Sequence, residues 1–174
     1  LMEGVSHEAA SLAGHQRLGG LVCIFDDNRI TIDGSTSLAC SDDVVRRFEG
    51  YGWHVEQLGD CGDDLGALEA GIRRAMAVTD RPSLVVLRTH IGHPSPDLTD
   101  RHEAHGNPFT AELTSRTKQA MGIPDEPFWS PDELVAAYRA HCATRGGDAR
   151  RAWEQRVTDS AIDRREWDAC WSST

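Results

Sequence analysis

Lysine is almost missing from this 174-residue chain: Lys118 is the only one, and arginine carries nearly all the positive charge. Positive charge is short overall, with 18 Lys and Arg against 28 Asp and Glu, a formal net charge of -10. That balance argues against nucleic acid and anionic membranes as general partners, because both select for basic faces. It leaves room for a phosphate-bearing ligand, which backbone N–H groups and a metal hold locally. The lysine shortage itself reads as genomic composition. No apolar run approaches the roughly 20 residues of a membrane span, and no charged-then-apolar signal opens the chain. C-x-x-C pairs are absent too. The five cysteines (Cys23, Cys40, Cys61, Cys142 and Cys170) are scattered and odd in number. Such a pattern predicts free thiols in a reducing compartment, and a cytoplasmic location. Repeats and low-complexity tracts are also lacking.

What is present suits an ordinary soluble domain. The chain is 39% hydrophobic and 26% charged, and long enough to bury a real core. It opens at Leu1 and passes at once into a helical pattern, so a further N-terminal portion is expected. Val5, Ala9, Leu12 and Ala13 share a helical face within residues 3–18, and Gly19-Gly20 is the expected stop. Leu21 to Phe25 is an apolar run of buried-strand length. A helix is predicted over 42–51 with Ser41 as N-cap, then a strand over 53–58. Residues 64–78 space Leu65, Leu68, Ile72 and Met76 for one helical face, and SLVVLR (83–88) is a further buried strand. Strand and helix alternate, which predicts an α/β fold with a mostly parallel sheet flanked by helices. A Pro/Gly/His-rich loop follows over 90–109, and loops of that length are commonly functional. Helices are predicted over 110–121, 131–143 and 148–171, with a break at Arg145-Gly146-Gly147. The aromatics Trp53, Phe128, Trp129, Trp153, Trp167 and Trp171 read as packing anchors, and DCGDD (60–64) as a solvated loop.

Three constellations carry candidate chemistry. In CIFDDNRITIDG (23–34), Asp26, Asp27 and Asn28 sit where a buried strand stops. They are turn formers that bond their own backbone. Alternatively, Asn28 is a ligand at the carboxyl end of a parallel strand, where open α/β sheets bind cofactors. An Asn28 side-chain oxygen and a backbone carbonyl two residues on suit a hard cation such as Mg²⁺, which takes few protein oxygens. The second constellation is His90, His93, His102 and His105 in one loop. These are ordinary loop histidines, zinc ligands, or contacts to a ligand at the strand edge. Glu3, His7 and Glu8 form the third: a solvated first turn with acids favoured by the helix dipole, or a functional cluster at i, i+4 spacing.

MEGVSHEAASLAG (2–14), FDDNRITIDG (25–34), FEGYGWHV (48–55), RPSLVVLRTHIGHPSP (81–96) and HEAHG (102–106) together resemble transketolase. Their order and spacing match that family's thiamine-diphosphate-binding N-terminal domain over essentially the whole chain, weakening after Arg145. The resemblance implies a thiamine-diphosphate fold. Residues 1–145 would be the C-terminal part of its diphosphate-binding domain, and 146–174 a helical linker towards a pyrimidine-binding domain. It implies thiamine diphosphate and a divalent metal, Mg²⁺ or Ca²⁺, held by the Asn28 side chain and the Ile30 carbonyl. Ile32 and Ile91 would pack on the cofactor rings. His105 would contact diphosphate and substrate as the catalytic residue, with His102 a weaker candidate. Glu3 and Glu8 would be interface acids coupling paired sites in a homodimer.

The implied reaction moves a two-carbon ketol unit between ketose and aldose phosphates, in pentose phosphate metabolism. The family's upstream Gly-Asp-Gly, which supplies a metal-binding Asp, lies ahead of Leu1, so this chain alone is expected to be inactive. A dihydroxyacetone synthase or a non-catalytic module of the same descent are the alternatives. The resemblance favours a cation at Asn28 and disfavours zinc at the histidines. His90 and His93 stand where the family commonly carries other residues, and Pro94 replaces a frequent Gly.

Overall fold

The computed structural model describes residues 4–172. Its order is α1 (Gly4–His15), β1 (Val22–Asp27), α2 (Val44–Gly50), β2 (His54–Asp60), α3 (Leu65–Ala77), β3 (Ser83–Arg88), α4 (Ala111–Met121), α5 (Asp132–Asp159) and α6 (Arg164–Ser172). The three strands form one parallel sheet in the order β1-β3-β2, as the alternation of strand and helix predicts. None of the described helices is long and apolar enough to cross a membrane. Contacts divide the chain into one unit ending at Pro124 and another beginning at Asp125.

The sheet is built around β3. Its residues are buried on both faces, which is why its sequence runs apolar without alternation. On one face Leu84 joins Ala10, Ala13, Phe48 and Trp53 in the core, with Phe25, Val55 and Val86 packed against them. Phe48 meets Trp53 edge to face at 5.1 Å, and the Trp53 indole donates to the Ala10 carbonyl at 2.8 Å. The polar end of the tryptophan is thereby satisfied inside an apolar cluster. On the other face Ser83 donates to the Ala75 carbonyl of α3 at 3.1 Å.

Several local expectations are corrected. α1 ends in a Schellman turn: Leu18 N–H bonds Ala13 C=O and Arg17 N–H bonds Gly14 C=O, with Arg17 left-handed at φ 53°. The stop is thus Arg17 rather than Gly19-Gly20. Gly19 serves close packing, since a Cβ there would lie 1.8 Å from the Thr79 carbonyl oxygen. α2 is capped by Asp43, whose side chain accepts from Arg46 N–H, and not by Ser41. In α3 the predicted apolar face is only partly covered: Leu68 and Ile72 are half-buried, while Leu65 is 75% and Met76 63% exposed. The buried residues are Gly71 and Ala75. Small residues let the helix approach the sheet so closely that a Cβ at Gly71 would meet the Leu58 side chain at 2.4 Å. β2 begins after Trp53 and runs two residues past Leu58. A bulge lies between Gln57 and Gly59, which absorbs one residue and keeps the strand in register.

In the second unit, α5 passes straight through Gly146-Gly147, where a break was expected. Each glycine costs about 1 kcal/mol relative to Ala. Flanking pairs on the helix surface, Arg150–Glu154 at 2.7 Å and Arg151–Asp148, support it there. The interruption falls instead at 160–163, between α5 and α6. Of the predicted aromatic anchors only Trp53 is buried; Phe128, Trp129, Trp153 and Trp171 are exposed. Trp167 packs on Trp171 within α6 at 5.7 Å.

Phe48→Ala empties the centre of the aromatic cluster. It is expected to lower stability by about 3–5 kcal/mol, read as a shift in the urea unfolding midpoint without a change in slope.

Candidate functional site

Parallel register decides where the site lies. Asp27, Arg88 and Asp60 end the three strands in one row, with Asp27 paired to Arg88 and Arg88 to Asp60. The loops after β1 and β3 therefore leave the same sheet edge, the edge at which open α/β sheets bind ligands. Arg88 donates to the Asp27 carbonyl at 2.9 Å, and the Thr89 hydroxyl bonds the Asp26 carboxylate. These contacts fix the first turn after β1 against the first turn after β3.

The chain after β1 folds into a small hairpin. The Asn28 side-chain oxygen accepts from Ile30 N–H at 2.9 Å, an Asx turn, and Arg29 takes a left-handed φ of 60°. Thr36 N–H then bonds Arg29 C=O at 3.0 Å and Thr31 N–H bonds Gly34 C=O at 2.7 Å. Ile30 and Ser35 face each other across this bridge. The bridging bonds use residues 29 and 31, so the Ile30 carbonyl stays out of them. The Asn28 oxygen has a second lone pair beyond the one Ile30 N–H occupies. Both oxygens thus keep acceptor capacity beyond the bonds of the hairpin.

An open cleft of about 730 Å³ lies beside this hairpin. Asn28, Ile30, Ile32 and His105 all line it. Ile32 is 69% exposed, an apolar side chain standing free beside the polar turn. His105 ends a short 3-10 turn over His102–His105. Ile91 lies off the lining; its carbonyl accepts from Asp100 N–H at 2.9 Å. Glu8 is exposed on α1 and off the lining, and Glu3 lies outside the described residues. His7, beside Glu8, bonds Arg47 at 3.0 Å.

The cleft is acidic. Asp26, Asp27, Asp42 and Asp43 line it, and Arg29 is its one guanidinium among the lining residues. Asp42 pairs with Arg47 at 2.7 Å and Asp43 with Arg46 at 3.4 Å. Asp27 faces Arg29 at 3.7 Å, so three of the four carboxylates have a guanidinium partner. The neutral oxygens of Asn28 and Ile30 are the ones that could hold a hard cation here. Among the described residues no three His, Cys, Asp or Glu side chains converge to hold a metal ion, so the four histidines do not form the zinc arrangement their spacing allowed.

Asp60, read as part of a solvated loop, Arg88, read only as a strand end, and Asp100 all gain partners at this edge. His90 bonds Asp100 at 2.8 Å and Asp60 at 3.1 Å, and His93 pairs with Asp63 at 3.2 Å. DCGDD, read as a solvated loop, is a loop only from Cys61: Asp60 ends β2, and Asp64 caps α3. The bulge that carries Asp60 to the sheet edge had only one sequence signal, Gly59, which adopts φ 68°.

A three-stranded parallel sheet with a polar cleft at its carboxyl edge defines an α/β cofactor-binding domain. The family model for "transketolase, thiamine diphosphate binding domain" matches residues 1–170, and the chain belongs to this family. A transketolase of Nostoc sp. is 41% identical over 158 residues, 91% of this chain and 23% of that protein. One from Aquifex aeolicus is 49% identical over 135 residues, 78% of this chain and 19% of that protein. The crystal structure of Pichia stipitis transketolase in complex with sedoheptulose 7-phosphate superposes with a TM-score of 0.81 at 41% identity, over 88% of this chain and 23% of that one. The chain thus spans under a quarter of the length of these relatives.

Asn28→Ala removes the acceptor for Ile30 N–H. We expect a loss of about 0.5–1.5 kcal/mol in urea unfolding, with the fold retained by far-UV circular dichroism.

Proposed function

We propose that this chain is the part of a transketolase that holds the diphosphate of thiamine diphosphate through a divalent cation, Mg²⁺ or Ca²⁺. The observation that carries this reading is the meeting of Asn28, Ile30, Ile32 and His105 on one cleft at the sheet's carboxyl edge. Asn28 Oδ1 and the Ile30 carbonyl are the protein oxygens for the cation. Its charge offsets both the diphosphate and the Asp26 and Asp27 carboxylates beside it. Ile32 offers an apolar surface to the cofactor's rings, with Ile91, off the lining of the unliganded cleft, as the second residue to pack there on binding, while His105 hydrogen-bonds diphosphate and substrate. Thiamine diphosphate, when bound, supplies the carbanion chemistry for moving a two-carbon ketol unit between ketose and aldose phosphates. The protein's share is to bind, orient and neutralise.

The same reading gives residues 1–145 to the diphosphate-binding domain and 146–174 to a helical linker. It also places Glu3 and Glu8 at the interface of a cytoplasmic homodimer of the whole enzyme, working in pentose phosphate metabolism.

Titration calorimetry tests the site directly. Thiamine diphosphate is expected to bind this chain weakly and only with Mg²⁺ or Ca²⁺ present. Asn28→Ala should weaken binding at least tenfold, about 1.4 kcal/mol. Binding that ignores both the metal and the substitution would overturn the reading. A coupled ketol-transfer assay on this chain alone is expected to show no turnover; robust turnover would refute its dependence on further chain.

A further inference from the structure

The histidine loop is tied down by a contact that the cofactor reading does not use. Both ring nitrogens of His90 face carboxylates: Nδ1 lies 2.8 Å from Asp100 Oδ2, and Nε2 lies 3.1 Å from Asp60 Oδ2. A neutral imidazole has one N–H and one lone pair, so it can donate to only one of them. Two carboxylate acceptors on opposite sides of the ring match the imidazolium, which donates from both nitrogens.

These partners sit on different elements. Asp60 ends β2, and its main chain pairs with Arg88 of β3. Asp100 lies in the loop, five residues before His105. It takes a left-handed φ of 60°, a conformation that Asp adopts more readily than most residues with a side chain. Asp100 N–H bonds Ile91 C=O at 2.9 Å, and Arg101 N–H bonds Leu98 C=O at 3.1 Å. The loop is thereby closed on itself directly ahead of the His102–His105 turn. Gly92 packs against that turn, where a Cβ would come 3.0 Å from Ala104 Cβ.

We propose that His90 is a positioning residue: as an imidazolium it clamps Asp100 to Asp60, and so fixes the loop that presents His105 to the cleft. The clamp is a property of the unliganded chain; its bearing on ligand binding rests on the function proposed above.

Other charges nearby bear on its titration. Arg88 Nη2 lies 3.9 Å from Asp100 and so competes for that carboxylate. His93 pairs with Asp63 at 3.2 Å, and Arg101 with Glu103 at 3.7 Å. The hydrogen bond to Asp60, then that to Asp100, hold His90 above its ordinary value. Because the folded value is raised, the clamp is complete below the ordinary histidine value of about 6.5. It is lost as pH rises through the higher folded value.

Long-range ¹H–¹⁵N spectra of the unliganded chain report the protonation of each imidazole, with His90→Gln assigning the His90 signals. His90 is expected to titrate above 6.5, carrying both protons below its midpoint, and Asp60→Asn and Asp100→Asn should each lower that midpoint. Amide exchange of residues 91–101, corrected for the intrinsic pH dependence of exchange, should speed up at least tenfold across that midpoint. In His90→Gln it should be fast throughout, with no step. A His90 midpoint at or below 6.5, or loop exchange without a step in the parent chain, would overturn the proposal. The parent chain and Asp100→Asn decide the matter should His90→Gln not fold. Thiamine diphosphate titrations are read separately: failure of the parent chain to bind counts against the function proposed, while the imidazole titration judges the clamp.

Discussion

Parallel pairing of β1 and β2 to a shared central strand is the constraint from which the rest of this structure follows. In a parallel sheet every strand delivers its following loop to the same edge. With β3 in the middle, the loops after β1 and β3 emerge side by side, although some sixty residues separate them in sequence. Thr89 bonds Asp26, and Arg88 bonds the Asp27 carbonyl, contacts available only because Asp26 pairs with Leu87 and Asp27 with Arg88. A slip of one residue along β3 would turn Leu84 away from Phe48 and Trp53 and break both contacts. The core and the site edge are thus set by one register.

The same register explains an unusual electrostatic choice. Carboxylates gather along the cleft, yet the side chain offered at the end of β1 is a neutral carboxamide. Asn28 spends one lone pair of its oxygen on Ile30 N–H, which bends the chain directly after β1. The turn and the proposed cation site therefore share the Asn28 oxygen. A carboxylate at position 28 would make the turn as well, but would add another charge to a rim already lined by Asp26, Asp27, Asp42 and Asp43.

Much of this was legible in the sequence where a residue's role is local or periodic. SLVVLR announces a buried parallel strand because it lacks alternation, and Asn28 marks a strand end by its turn chemistry. Asp26 and Asp27, read with it as turn formers, are instead the last two residues of β1, paired with Leu87 and Arg88. The misreadings are those in which tertiary contact outweighs local preference. The stripe of Leu65, Leu68, Ile72 and Met76 obeys helical period, but α3 buries Gly71 and Ala75 because small residues allow the closer approach. Gly146-Gly147 reads as a break, yet α5 continues through it with pairs such as Arg150–Glu154. Arg17 gives no signal as a helix stop; its left-handed turn goes with an anchor on Asp80, 3.1 Å from its guanidinium. After β1 the turn at Asn28 was legible, whereas the partnership of Asp60 with His90 depends on a bulge that spacing does not reveal.

The four loop histidines show most plainly what spacing leaves open. H-x-x-H occurs twice, and residue type alone gives the four equal standing as metal ligands. Environment separates them. His90 is shared between Asp60 and Asp100, His93 faces Asp63, and His102 lies 3.8 Å from Glu103. Of the four, His105 alone lines the cleft. Asp60 and Asp100 hold His90 above its ordinary value, and an imidazolium has no lone pair to give a metal. The acidic residues of 60–103 thus set three of the histidines against carboxylates and leave the fourth on the cleft.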